Sequence, residues 1–178
     1  NRARHHRGMK PARTVLALAA GIFLAALARD KVDLWIDSTP LPPLGVSTST
    51  QVLDRNGALL RAYTVADGRW RLAVSPDEVD PAFTAALMAY EDKRFFQHSG
   101  VDLRALARAA AQALRNGRVV SGGSTLTMQV ARLLEEGSTG EVSGKLRQIR
   151  VALALERRLT KPEILGLYLL LAPYGGNL

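Results

Sequence analysis

The chain has 178 residues, 47% hydrophobic and 22% charged, which suits one folded domain with an appendage. It has no cysteine, which excludes disulfides, thiolate metal sites and cysteine nucleophiles. Of the net charge of +8, five units come from Arg2, Arg4, Arg7, Lys10 and Arg13, so a tail explains most of the excess and a nucleic-acid surface is not required.

That basic tail, residues 1–13, precedes residues 14–28, fifteen positions without a charge. As a helix this run is about 22 Å long, short against a bilayer core of about 30 Å. Arg13 and Arg29 can snorkel and Trp35 can sit at the interface, so residues 14–36 are predicted to form a single membrane-spanning anchor, with the amino terminus inside. Two other readings stay open. One is a cleaved signal peptide, with Ala26-Leu27-Ala28 as its cleavage site; the other is a soluble core helix. Residues 37–49 include STPLPPLG, with three prolines in eight positions, and read as a stiff linker.

Residues 50–80 read as a small β region. Asn56-Gly57 is a strong hairpin signal and Asp67-Gly68 a second turn. Three short strands are predicted near 50–54, 58–64 and 69–74. From Pro81 the periodicity becomes helical. Asp80 suits an N-cap and Pro81 the first helical position. Phe83, Leu87 and Tyr90 share a face, and this helix is predicted to reach about Phe96. A second helix has Asp102 as its cap, Leu103, Leu106, Ala110 and Leu114 on one face, and Gly117 at its end. Arg104, Arg108 and Arg115 lie on its other side as a solvated face.

A third helix begins within SGGSTLTMQVARLLEEG. A polar, flexible connection over 136–144 leads to KLRQIRVALALERRL, with Leu146, Ile149 and Leu153 on one face. Thr160 and Glu163 have capping-box spacing and start the last helix, ILGLYLLL.

Two stretches carry candidate chemistry. In YEDKRFFQHSG, residues 90–100, an acidic pair beside Lys93 and Arg94 is most often a solvated helix face. On a continuous helix, however, Glu91, Phe95 and His98 share one side. An aromatic neighbour partly desolvates a carboxylate, raises its pKa and suits it to proton transfer near neutral pH. In GGSTLTMQ, residues 122–129, glycines allow close backbone approach, and Ser124, Thr125, Thr127 and Gln129 offer hydroxyl and amide groups to sugar or phosphate. The bland alternative there is an ordinary helix cap.

Together and in this order, the two stretches resemble one family. EDKRFFQHSG resembles the first signature of the family 51 peptidoglycan glycosyltransferases, E-D-x-x-F-x-x-H-x-G. GGSTLTMQ resembles the second, G-x-S-T-x-T-x-Q, and KLRQIRVALALERRLTKPEILGLYLLLAPYGG resembles the third and the helix after it. The likeness covers residues 50–176, and STLTMQVARLL and APYGG look most like the penicillin-binding protein 1C branch. It implies a mainly α (α+β) fold, with a lysozyme-like helical lobe over residues 81–178 and a smaller membrane-dipping lobe. It implies polymerisation of lipid II, in which the 4-hydroxyl of the acceptor GlcNAc attacks C1 of the donor MurNAc and undecaprenyl diphosphate leaves.

By the same resemblance Glu91 is the general base, and Asp92 and His98 support it or the acceptor. Ser124, Thr125 and Gln129 line the donor site, and Arg132, Lys145 and Arg147 lie near the diphosphate. Some members use a divalent cation there, Mg or Mn; nothing in this sequence displays one. The implied partners are lipid II, the growing glycan strand, membrane lipid and other cell-wall synthesis proteins. The implied location is the bacterial inner membrane, with the catalytic part periplasmic.

Three departures qualify the likeness. Gln148 stands where the family usually has a second glutamate, Gly166 replaces a glutamate and Leu170 an asparagine. Further signatures of the family lie beyond Leu178, so the lobe is expected to be incomplete. A truncated, non-catalytic membrane-anchored scaffold or lipid-carrier-binding fragment is the alternative, and a lysozyme-like hydrolase using one glutamate a third reading.

Overall fold

The computed structural model describes residues 11–117, 122–135 and 142–174. The predicted tail up to residue 10, most of the 136–144 connection and the final Gly175-Gly176 lie outside the described residues. The chain divides into two compact units, Asn1–Ser38 and Thr39–Leu178.

The first unit is helix α1, Pro11–Asp37. It carries the uncharged run onward through Arg29, Asp30, Lys31 and Asp33, with Arg29 3.6 Å from Asp33 one turn on. Among the described residues, no helix is long and apolar enough to cross a membrane. The helix predicted over residues 14–36 forms, and charges enter it after fifteen uncharged positions.

The second unit opens with a two-stranded antiparallel hairpin, β1 (Gln51–Leu53) and β2 (Leu59–Ala62). Its turn is built as the sequence predicts. The Asp54 carboxylate accepts hydrogen bonds from the Asn56 and Ala58 N–H groups, each at 2.8 Å. The predicted third strand does not form. Arg71 exchanges two bonds of 2.9 Å with Ser49, one from its N–H and one to its hydroxyl, and the Arg69 carbonyl accepts from the Val65 N–H at 2.8 Å across the Asp67-Gly68 turn. These isolated bonds do not make a ladder.

Helix α2 spans Pro81–Glu91, capped by Asp80, whose carboxylate accepts from the Ala82 N–H at 2.7 Å. It ends five residues before the predicted Phe96. Asp92 leaves the helical conformation, and a short 3₁₀ turn follows at Phe95–Gln97. Helix α3, Leu103–Asn116, starts from Asp102 and stops at left-handed Gly117, as predicted. Neither α2 nor α3 contains a fully buried residue. Tyr90 is 88% exposed and Leu114 87%; of the apolar face predicted for α2, Leu87 packs against the core while Tyr90 does not.

The core is built by α4 (Leu126–Glu135), α5 (Val142–Arg158) and α6 (Lys161–Leu171). Phe95, Leu126, Val130, Val151, Leu155, Ile164 and Leu165 are buried together there. Each such side chain contributes about 1.5–3 kcal/mol when fully withdrawn from water. The buried face of α5 is Gln148, Val151, Ala152 and Leu155, whereas Leu146, on the predicted face, is 56% exposed. Both sets have helical spacing, and packing against α4 and α6 chooses between them. The predicted capping box is present: Glu163 accepts from the Thr160 N–H at 2.7 Å.

Residues 39–44 of the predicted linker lie on this core. Thr39 is buried, and Leu41 and Leu44 pack against the core cluster. Arg158 donates to the Thr39 carbonyl at 3.3 Å and Arg147 to the Pro40 carbonyl at 3.0 Å.

Candidate active site

Glu91 is the last residue of α2. Its Oε2 accepts a hydrogen bond from Gln129 Nε2 at 2.8 Å, across 38 positions of sequence. Gln129 stands on α4, one turn before Arg132. The carboxylate opens on a cavity of about 320 Å³ that Ser124, Thr125, Arg94 and Arg108 also line. One carboxylate oxygen is thus oriented by a neutral amide, and the other remains an acceptor facing a cleft.

Asp92 and His98 do different work from Glu91. The Asp92 side chain is 5% exposed and that of His98 9%. His98 Nε2 lies 3.1 and 3.0 Å from the two Asp92 oxygens. The same carboxylate accepts the Leu126 N–H at 3.0 Å, the first N–H of α4. Those bonds draw Asp92 out of α2, which is why the helix stops at Glu91. Glu91, Phe95 and His98 therefore do not share one continuous helical face, and that expectation is corrected. Phe95 is in the core, 1% exposed, with Lys161 Nζ 4.3 Å from its ring centre.

Thr125 is buried rather than presented to solvent. Its hydroxyl donates to the Gly100 carbonyl at 2.5 Å and accepts from the Met128 N–H at 3.2 Å, capping α4. Thr127 is also buried, and donates to Glu156 at 2.6 Å. Glu156 in turn accepts from Lys161 at 2.7 Å. Gly100 has φ of +86°, and a Cβ there would lie 2.8 Å from the Ala152 carbonyl oxygen. A Cβ on Gly123 would lie 2.6 Å from the Leu106 side chain. Gly100 is therefore required by both its backbone conformation and the backbone beside it, whereas at Gly123 the nearest atom is the tip of a leucine side chain and Gly122 has open space around it.

Lys145 Nζ donates to exposed Ser124 Oγ at 2.5 Å and stands 3.5 Å from Gln148 Oε1. Partial burial, and next the charge of Arg132, hold its ammonium below the usual lysine range. Among the described residues neither Arg132 nor Lys145 has a carboxylate partner. The pair with Ser124 thus forms a cationic site without its own counter-charge. Gln148 is 6% exposed and neutral, so it orients or donates and transfers no proton.

Arg147 is not brought to that pair. Its Nε and Nη2 donate to Glu135 Oε1 at 2.9 and 2.7 Å. Among the described residues, no group of three or more His, Asp or Glu is placed to hold a metal ion. The donors around Lys145 suit an anion.

Three features escaped the sequence reading. Arg94 grips Asp102 through both carboxylate oxygens, and Asp102 also caps α3 through the Ala105 N–H at 2.9 Å. Burial raises the Asp102 pKa, but the Ala105 N–H and Arg94 outweigh it and hold the carboxyl below the ordinary range. Second, a larger cavity of about 770 Å³ lies beyond this bridge, walled by Leu103, Leu106, Ile149 and Leu153. Among the described residues its only carboxylate is Asp102, already bound by Arg94, whereas Glu91 lines the smaller cavity. Third, Tyr168 and Tyr174 both feel the charge of Glu91. Burial, then Tyr168 and Glu91, push the Tyr174 hydroxyl up to about 12. In sequence Tyr168 read as a residue of the apolar last helix and Tyr174 as part of the APYGG resemblance, and no spacing signal linked them to Glu91.

Comparison with known proteins adds an independent line. A family model described as Transglycosylase matches residues 56–178. Penicillin-binding protein 1C of Escherichia coli is 47% identical over 165 residues, covering 93% of this chain and 20% of that protein. Penicillin-binding protein 1A of Pseudomonas aeruginosa is 46% identical over 51% of this chain and 11% of its own length. Penicillin-binding protein 1A of Escherichia coli is 34% identical over 75% of this chain and 15% of its own length. The chain thus spans about a fifth or less of the length of these curated relatives. The family-model match takes in both motif-bearing stretches and all the residues of the Glu91 cleft, and with it the chain belongs to the transglycosylase family, the family 51 glycosyltransferases.

Proposed function

We propose that this chain acts on lipid II as a peptidoglycan glycosyltransferase. The observation that carries the reading is Glu91, held by Gln129 at 2.8 Å on a cleft lined by Ser124 and Thr125. Ser124 in turn bonds Lys145, and Arg132 supplies a second positive charge. Glu91 takes the proton from the acceptor 4-hydroxyl as that oxygen attacks the donor C1. The bond from C1 to the diphosphate oxygen breaks, and the negative leaving group departs toward Lys145, Arg132 and the Ser124 hydroxyl. Fixed positive charge at a leaving group is worth most where water is excluded. The buried Asp92–His98 pair and Thr125 hold α4 in place, and so act through Gln129 rather than on substrate.

The substrate is lipid-linked, and the apolar run 14–28 of α1, flanked by Arg13 and Arg29, offers a way to hold the chain at the bacterial inner membrane. One observation favours a binding-only reading: Gln148 is buried and neutral, and the other acids on the cleft, Asp92 and Asp102, are held by His98 and Arg94, so among the described residues of the cleft Glu91 alone is left for proton transfer. The test is incorporation of labelled lipid II into glycan by the chain and by Glu91→Gln. A general base contributes about 10²- to 10⁴-fold, so Glu91→Gln is expected to lose at least about two orders of magnitude at an unchanged thermal midpoint. Retained polymerisation by folded Glu91→Gln refutes the assignment. An inert parent that still binds diphosphate supports the binding-only reading.

A further inference from the structure

Arg147 has a partner other than substrate. Two of its nitrogens are on Glu135, at 2.9 and 2.7 Å, and Nη2 also holds the Pro40 carbonyl at 3.0 Å. Lys145, two residues earlier on α5, reaches Ser124 at 2.5 Å. Residues two apart on a helix point about 200° apart. Ser124 precedes the first turn of α4 and Glu135 is its last residue, about 15 Å away along a ten-residue helix. The start of α5 therefore straddles α4, with one cation gripping each end.

We propose that Glu135 and Arg147, with the Pro40 carbonyl, form a positioning brace that fixes the first turn of α5 across α4 and so sets Lys145 beside Ser124 and Arg132. The proposal rests on the diphosphate reading of the Lys145 pair and reassigns Arg147 from ligand to support. Lys145 has no other strong partner to hold it: Gln148 is 3.5 Å away, the limit of a hydrogen bond. Without the grip on Glu135, the α5 start is free to slide along α4. Residues 39–44 lie over the same joint, with Arg158 on the Thr39 carbonyl and Leu41 on the core. The brace therefore couples three segments, of which two carry the anion-binding cations.

The two roles of Arg147 predict opposite signs for one variant. Inorganic diphosphate is titrated calorimetrically into the full chain, with Lys145→Ala marking the loss of a direct ligand. Under the brace, Arg147→Gln and Glu135→Gln each weaken binding, by about fivefold for a partly exposed ion pair. The reversed pair, Glu135→Arg with Arg147→Glu, recovers most of that loss. If Arg147 were a direct ligand, Glu135→Gln would leave binding unchanged or tighten it, because a repelling carboxylate has gone. The reversed pair would then bind worst of all.

Unchanged or tighter binding by Glu135→Gln overturns the brace, as does a reversed pair that recovers nothing. A fall in thermal midpoint with diphosphate affinity unmoved also overturns it, since that is a merely structural ion pair. Should Arg147→Gln fail to fold, Glu135→Gln and the reversed pair still decide the sign. Lys145→Ala binding like the parent would remove the diphosphate reading itself, and the brace with it. Loss in Lys145→Ala beside unaffected Glu135→Gln removes the brace alone.

Discussion

Replacing Gly100 with alanine concentrates two costs on one atom. The backbone there has φ of +86°, a conformation that side chains with a Cβ rarely adopt. Forcing an L-residue into the left-handed region costs about 1–2 kcal/mol. The new methyl would also lie 2.8 Å from the Ala152 oxygen, 2.9 Å from its carbonyl carbon and 3.1 Å from Glu156 Cγ. Two of these are backbone atoms of a buried helix and cannot swing aside, so overpacking adds about 1–3 kcal/mol. The sum, about 2–5 kcal/mol, is a large part of the ~5–15 kcal/mol that holds a typical domain together. For a chain of this size it lowers the thermal midpoint by roughly 5–15 °C.

The damage reaches the site, because the Gly100 carbonyl accepts the Thr125 hydroxyl at 2.5 Å and Thr125 caps α4, which carries Gln129 and Arg132. Differential scanning calorimetry of the parent and Gly100→Ala measures the effect, with Gly45→Ala as control, since nothing lies within 4 Å of a Cβ there. A Gly100→Ala midpoint equal to that of the control would show that α5 yields freely and that the close approach does not govern this joint.

Asp92→Ala removes the acceptor for His98 and for the first N–H of α4 together. Two lost buried hydrogen bonds cost about 2–4 kcal/mol, read as a lower urea midpoint; an unmoved midpoint contradicts Asp92 as the hub. Lys145 titrates below its ordinary 10.5 because of burial and Arg132. Between its folded pKa and 10.5 the unfolded chain binds more protons at this site, so stability rises with pH there. Diphosphate affinity falls over the same window as the charge is lost. Lys145→Met is expected to flatten both trends, and a parent-like pH dependence in that variant rules Lys145 out as their source.

Sequence alone determined what depends on neighbours within about four residues. The Asp80-Pro81 start, the Asp102 cap with its Gly117 stop, the Thr160–Glu163 box and the Asn56-Gly57 turn are local arrangements, and each formed as read. The residue types of the cleft were legible for the same reason: Glu91, Ser124, Gln129 and Lys145 stand within short motifs. Partners were not legible. Glu91 meets Gln129 across 38 positions, Asp92 meets Leu126 across 34, and Thr125 meets Gly100 across 25.

The Asp92 contact cut α2 short and undid the helical face expected to carry Glu91, Phe95 and His98. Either face of α5 satisfied the helical period, and only burial against α4 and α6 selected Gln148, Val151 and Leu155 over Leu146. Arg147 looked like one of three equivalent cations until Glu135 and Pro40 were brought beside it. A side chain carries its chemistry in its own atoms, but the groups that orient it, neutralise it or dry it are supplied by segments far away in sequence, and only packing brings them together.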